Sequence, residues 1–195
     1  MISLISRQLI KAAQFNQLDE LKNLLSQGAD IRDDDDAALR WAAFHGHLEI
    51  VKFLVTQGAN IHANEDRALR WSASYGHLEI VKFLIEQGAN IHADDDGALG
   101  RAAIQGHLEI VKILLVPEVG FMAIAHGANI HANNDEVLRA AIEDKNEPIL
   151  MLLNTFLNEE KLLVAALGSM PQKLANGINV KENNRPITKA KRSKI

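Results

Sequence analysis

Histidine is the first residue of this 195-residue chain whose type and spacing suggest chemistry. His47, His77 and His107 recur every 30 residues, and so do His62 and His92. Imidazole binds transition metals, and zinc needs its nitrogen donors at about 2.0–2.1 Å from a single centre. A fixed repeat spacing works against that. Equivalent positions on packed helices stand roughly 8–10 Å apart, too far to share one ion. The pattern reads instead as a glycine-histidine turn that ties its imidazole to nearby backbone, a common fate for polar side chains. No metal is expected.

The acidic runs invite a second chemistry. "DDDD" at Asp33–Asp36 and "DDDG" at Asp94–Gly97 resemble calcium loops. An EF-hand loop places glycine at position six and glutamate at position twelve. With Gly97 at six, position one is His92 and position twelve is Ala103, so the match fails. The runs read as solvated tips between helices, with Asp36 placed to cap the helix that follows it. A functional version is an acidic rim that attracts a basic partner. No catalytic set appears. The chain has no cysteine, no G-x-S-x-G and no phosphate-binding loop, so neither an enzyme nor a cofactor is expected.

What positions these residues is a repeat. "RWAAFHGHLEIVKFLVTQGANIHAN" from Arg40 returns as "RWSASYGHLEIVKFLIEQGANIHAD", and "RAAIQGHLEIVKILL" opens a third copy at Arg101. Leu39, Leu69 and Leu99 are 30 apart, as are Gly46, Gly76 and Gly106. The register extends back to Leu9 and Gly28, and forward with a nine-residue shift to Leu138. Five units result, with a degenerate sixth in "LLVAALGS" and "NGINVKENN".

Each unit predicts two helices. Leu39, Ala42 and Ala43 sit at i, i+3 and i+4, one apolar stripe of a short first helix. Gly46 ends it, because the left-handed conformation there suits a residue without Cβ. Leu48, Val51, Leu54 and Val55 form the stripe of a second helix, which Gly58 ends. Small alanines let neighbouring units approach closely. One such unit cannot bury its own apolar face, so the copies exist to cover one another.

These residues resemble the ankyrin repeat, over residues 1–153 strongly and 154–184 weakly. The carriers are "ALRWAAFHGHLEIVKFLVTQGANIHA" and its near-copies. The family period is about 33 residues with a T-P-L-H turn. Here it is 30, with Ala37-Ala38-Leu39-Arg40 at the turn and the shortening between Gly58 and Leu69. The resemblance implies an all-α ankyrin-repeat solenoid of stacked helix-turn-helix units with short hairpin fingers. The repeat domain is expected over 1–170, with units at about 5–34, 35–64, 65–94, 95–133, 134–155 and a degenerate sixth at 156–180. A basic tail covers 181–195. The abbreviated form looks like ankyrin proteins of large amoebal DNA viruses and of bacteria living inside eukaryotic cells. That likeness implies a host protein as partner, an effector or scaffold role, and a cytoplasmic chain or one delivered into a host cell.

Within copied sequence, positions that differ are free of packing duty. At the ends of the first helices these include Phe15, Phe44, His45, Ser74, Tyr75, Ile104 and Gln105. The resemblance implies that they face the concave surface, together with Asp35, Asp66 and Asp96 of the fingers. Trp41 and Trp71, with Arg101 in the same slot, stand just before the alanine pairs. The tryptophans are expected to pack side by side along the stack and to border the face. Arg40, Arg70 and Arg139 repeat beside them, with Gly100 breaking the ladder, and are expected to pair with finger carboxylates. The function implied is non-catalytic protein binding by a monomer.

Two features fall outside the pattern. The insertion "VPEVGFMAI" at Val116–Ile124 contains Pro117, which kinks or ends a helix. The tail ends "KAKRSKI". Of 21 Lys/Arg and 25 Asp/Glu, seven and one fall in residues 171–195, a balance of +6 against −10 for the rest. The repeat body should repel nucleic acid. The tail supports the alternative of a nucleus-directed or nucleic-acid-associated protein. No apolar run approaches the roughly 20 residues of a membrane span, so no membrane association is expected.

Overall fold

The computed structural model describes residues 3–115, 129, 132–143 and 145–168, excluding the side chains of 133–135 and 159–168. The insertion at 116–124 and the basic tail lie outside the described residues. Ten helices follow in order: α1 (Leu4–Gln14), α2 (Leu18–Ser26), α3 (Asp33–Phe44), α4 (Leu48–Thr56), α5 (Ala63–Ser74), α6 (Leu78–Glu86), α7 (Ala93–Ile104), α8 (Leu108–Leu115), α9 (Ala132–Glu143) and α10 (Glu147–Gly168). No strand occurs among the described residues. Packing divides the chain after Thr155, so α10 begins in the first compact unit and ends in the second.

In the first unit, the odd-numbered helices pack in one row, α1 on α3, α3 on α5, α5 on α7 and α7 on α9. The even-numbered helices α4, α6 and α8 touch one another more sparsely. Side-chain size accounts for this. Ala12, Ala13, Ala42, Ala43, Ala73, Ala102 and Ala103 are buried in the tight row. The odd-numbered helices therefore form the closer-packed row.

Leu9, Leu39, Leu69 and Leu99 are each at most 1% exposed, in equivalent places along one continuous interior. Ile50, Val51 and Leu54 of α4 meet them, as do Ile80, Val81 and Leu84 of α6. Ile50 thus replaces Leu48 in the expected second-helix stripe, and Leu48 and Val55 are only half buried. Each buried leucine or isoleucine contributes about 1.5–3 kcal/mol over leaving it in water.

Glycine stops the helices as expected. Gly46 (φ 79) follows the end of α3 and Gly58 (φ 92) the end of α4. The His47 amide donates to the Ala42 carbonyl at 2.9 Å and the Ala59 amide to the Leu54 carbonyl at 3.0 Å. These bonds close Schellman motifs, whose C′ residue must be left-handed. The same rule explains α10. Its 22 residues run through Leu157, which stands where Gly28, Gly58 and Gly88 end the earlier second helices. With no glycine to stop it, the helix continues across the expected boundary between the fifth and sixth units.

The short fingers have an unusual backbone. Asp34, Asp35 and Asp36 all have φ of 53–60° and ψ of 40–49°. Asn64, Glu65 and Asp66, and then Asp94, Asp95 and Asp96, repeat the conformation. Each finger is therefore one left-handed turn. Asp and Asn tolerate this region better than other residues with a Cβ. Arginine satisfies the carbonyls so exposed. Arg40 donates from Nε to Asp35 O at 2.9 Å and from Nη2 to Asp34 O at 2.6 Å. Arg70 does the same for Glu65 O at 2.9 Å and Asn64 O at 2.8 Å. It also pairs with the Asp94 carboxylate of the next finger.

Glu65 is the member of these turns least suited to φ > 0. Replacing it by glycine should raise unfolding free energy by about 0.5–1 kcal/mol, the relief of left-handed strain less the added freedom of the unfolded chain. Urea denaturation measures it; a loss of stability would show that the turn is not strained.

Candidate functional site

The candidate surface is built where the ends of the first helices meet. Trp41 and Trp71 stand side by side with ring centroids 5.4 Å apart, as expected. Phe44 fits between units, 5.3 Å from Trp71 and 4.3 Å from Tyr75. His45 stacks on Trp41 at 5.9 Å and meets Phe44 edge-on at 4.7 Å. The result is one continuous aromatic surface across α3 and α5. Trp41, Phe44, Trp71 and Ser74 are half buried; His45 and Gln105 are exposed. Phe15 is 67% exposed, Tyr75 51% and Ile104 39%, extending the strip to both sides. Partial desolvation, then the neighbouring His47 and His77, holds the His45 imidazole below its ordinary pKa.

The repeated histidines hold the stack together. His47 Nε2 donates to Gln14 O at 2.9 Å, His77 to Phe44 O at 2.9 Å and His107 to Ser74 O at 3.1 Å. Each bond reaches back to the preceding unit and satisfies a carbonyl at the end of its first helix. Among the described residues no group of three or more His, Asp or Glu side chains is placed to hold a metal ion.

The acidic residues divide into two classes. Asp35 is exposed and accepts from Asn64 Nδ2 at 2.7 Å. Asp34 and Glu65 are exposed beside it. Asp66 and Asp96, expected among the partner contacts, are instead 3% and 6% exposed. The Asp66 carboxylate accepts from the Asn90 amide at 2.9 Å and from His62 Nδ1 at 3.0 Å. Asp96 accepts from the Asn129 amide at 3.1 Å and His92 Nδ1 at 2.8 Å. They are struts between units. Asp36 is corrected likewise. It makes no cap for its own helix but accepts from the Asn60 amide at 2.8 Å, 24 residues on. Burial raises its pKa, against the lowering effect of that bond.

One feature was not anticipated. Beyond Ile104 the tryptophan slot holds Arg101 and then Ala140, and a cleft of about 670 Å³ opens between α7 and α9. Asp94, Glu136, Arg139 and Glu143 complete its lining. Arg101 pairs with Asp94 at 3.5 Å. Gly100 makes room there: a Cβ on it would stand 3.0 Å from Glu136 Oε2. The break in the Trp and Arg ladders was the sequence signal for this change of surface.

Stacked helix pairs held by a glycine-histidine turn, with an aromatic strip along one row, define a helical repeat protein. The family model for ankyrin repeats (3 copies) matches residues 9–95 and 69–162, most of the chain. The chain belongs to the ankyrin repeat family. A comparison with curated proteins finds no match. No helix among the described residues is long and apolar enough to cross a membrane.

Proposed function

We propose that the chain is a non-catalytic protein-interaction module that grips a partner protein on the inner, concave face of its stack. Ankyrin repeats are generally protein-interaction modules, and this reading adds the face and its residues. The observation that carries it is an aromatic strip in which exposed Phe15 and Tyr75 flank half-buried Phe44, at positions where otherwise copied units differ. Aromatic side chains supply large contact area at low entropic cost, and they dominate interface hot spots. His45, Ser74, Ile104, Gln105, Arg101 and Asp35 border the strip, with Trp41 and Trp71 forming its floor.

The test compares the intact chain with the Phe44→Ala/Tyr75→Ala double variant in affinity capture followed by mass spectrometry. The variant should lose the captured partner, with affinity falling at least about a hundredfold in direct titration. Its circular dichroism should stay that of the parent. A partner retained at unchanged affinity would place the binding surface elsewhere.

A further inference from the structure

The charges around the aromatic strip are unevenly arranged. On the finger side, the guanidinium groups of α3 and α5 are held against the protein. Arg40 and Arg70 are 8% and 6% exposed, with their guanidinium groups spent on finger carbonyls. Arg67 lies flat over Trp71, its guanidinium carbon 5.4 Å from the ring centroid. Asp34, Asp35 and Glu65 meanwhile face outward. Arg32 is also exposed there, bonded to the Gly58 carbonyl, but the three carboxylates outnumber it and Arg67; the edge of the face is therefore net anionic, and its indole surface already seats a cation.

The geometry also fixes a spacing. Arg67, Trp71 and Tyr75 stand at i, i+4 and i+8 along α5, directly after the finger turn at 64–66. Eight residues of helix rise about 12 Å. An extended peptide covers that distance in three or four residues, at about 3.3 Å each.

Resting on the protein-binding reading above, we infer that the partner presents an extended segment with a basic side chain three or four residues from an aromatic or large apolar one. The apolar residue packs against Phe44 and Tyr75. The basic residue reaches the finger carboxylates of Asp35 and Glu65. The remote negative charge of the repeat body speeds encounter with such a segment, while the spacing provides selectivity.

The probes are short fluorescein-labelled peptides with the core Arg-Arg-Ser-Ser-Trp, its Glu-Glu-Ser-Ser-Trp counterpart, and Arg-Arg-Ser-Ser-Ser. Anisotropy titration against the full chain should find the first bound at least about tenfold more tightly than either other. Phe44→Ala/Tyr75→Ala should weaken it about tenfold or more, and Asp35→Asn/Glu65→Gln about threefold or more. The carboxylate effect should shrink between about 50 and about 500 mM salt. Glu49→Gln/Glu79→Gln, which neutralises the far side of the stack, should change nothing.

Equal binding of the acidic peptide, or an equal effect from the Glu49/Glu79 variant, overturns the basic-segment inference. If the preferred probe then still depends on Phe44 and Tyr75, binding at the aromatic face survives. If no probe depends on those two residues, both readings fall.

Discussion

Gly76→Ala is expected to destabilise the stack by about 3 kcal/mol. Two costs combine. Gly76 has φ 76, where a Cβ meets the carbonyl and costs roughly 1–2 kcal/mol. The added Cβ would also stand 2.7 Å from Cε1 of His107. The imidazole must swing away, and its bond to Ser74 O is lost, about another 1 kcal/mol. Gly88 provides the control. Its φ is 91, yet nothing lies within 4 Å of its built Cβ. Gly88→Ala should therefore cost only the backbone part, about 1–2 kcal/mol. A double-mutant cycle separates the terms: once His107→Ala has removed the ring, Gly76→Ala should cost about as little as Gly88→Ala. Equilibrium urea unfolding reads all four variants. Equal costs at Gly76 and Gly88 in the parent background would rule out the steric account.

Asp66→Ala is expected to cost about 2–3 kcal/mol, although the position looks like one more surface acid. Its carboxylate joins consecutive fingers, taking the Asn90 amide and His62 Nδ1 at once. Alanine leaves the amide without its acceptor and removes a charge-assisted bond. Asp66→Asn keeps an oxygen for the amide and should lose about half as much. Asp35→Asn, on an exposed neighbour of the same kind of turn, should stay within about 0.5 kcal/mol of the parent. In a stack whose stability sums over nearest-neighbour interfaces, the loss should concentrate at one junction. Hydrogen exchange should accordingly quicken in α5 to α7 before it does in α1 and α2. A uniform response along the chain, or equal costs for Asp35→Asn and Asp66→Ala, would contradict the strut.

Several elements were legible from residues alone because their cause is local. The leucine line at Leu9, Leu39, Leu69 and Leu99 follows from periodicity, and its burial is as expected. Gly46 and Gly58 announce helix ends because the Schellman turn needs a left-handed residue within the same few positions. The run-on of α10 is legible too, in Leu157 at a glycine position.

Other properties depend on a neighbour supplied by folding. Asp35 and Asp66 carry the same side chain at different places in equivalent left-handed turns: Asp66 is third, in register with Asp36 and Asp96, and Asp35 is second, in register with Glu65. The spacing groups them without saying which register is buried. One is exposed and the other buried because the amide of Asn90, 24 residues on, arrives over Asp66. Likewise the sequence marked Gly76 for its φ, while the crowding by His107 exists only once the next unit docks. Phe44 was marked as variable; its nesting between Trp71 and Tyr75, which turns scattered aromatics into one surface, needs two stacked units. Hydrophobic period and helix-stop chemistry act over one or two turns, so the sequence by itself determined the repeat and its register. Which polar groups support the stack and which face a partner was decided only by tertiary structure, because burial is a property of two units in contact.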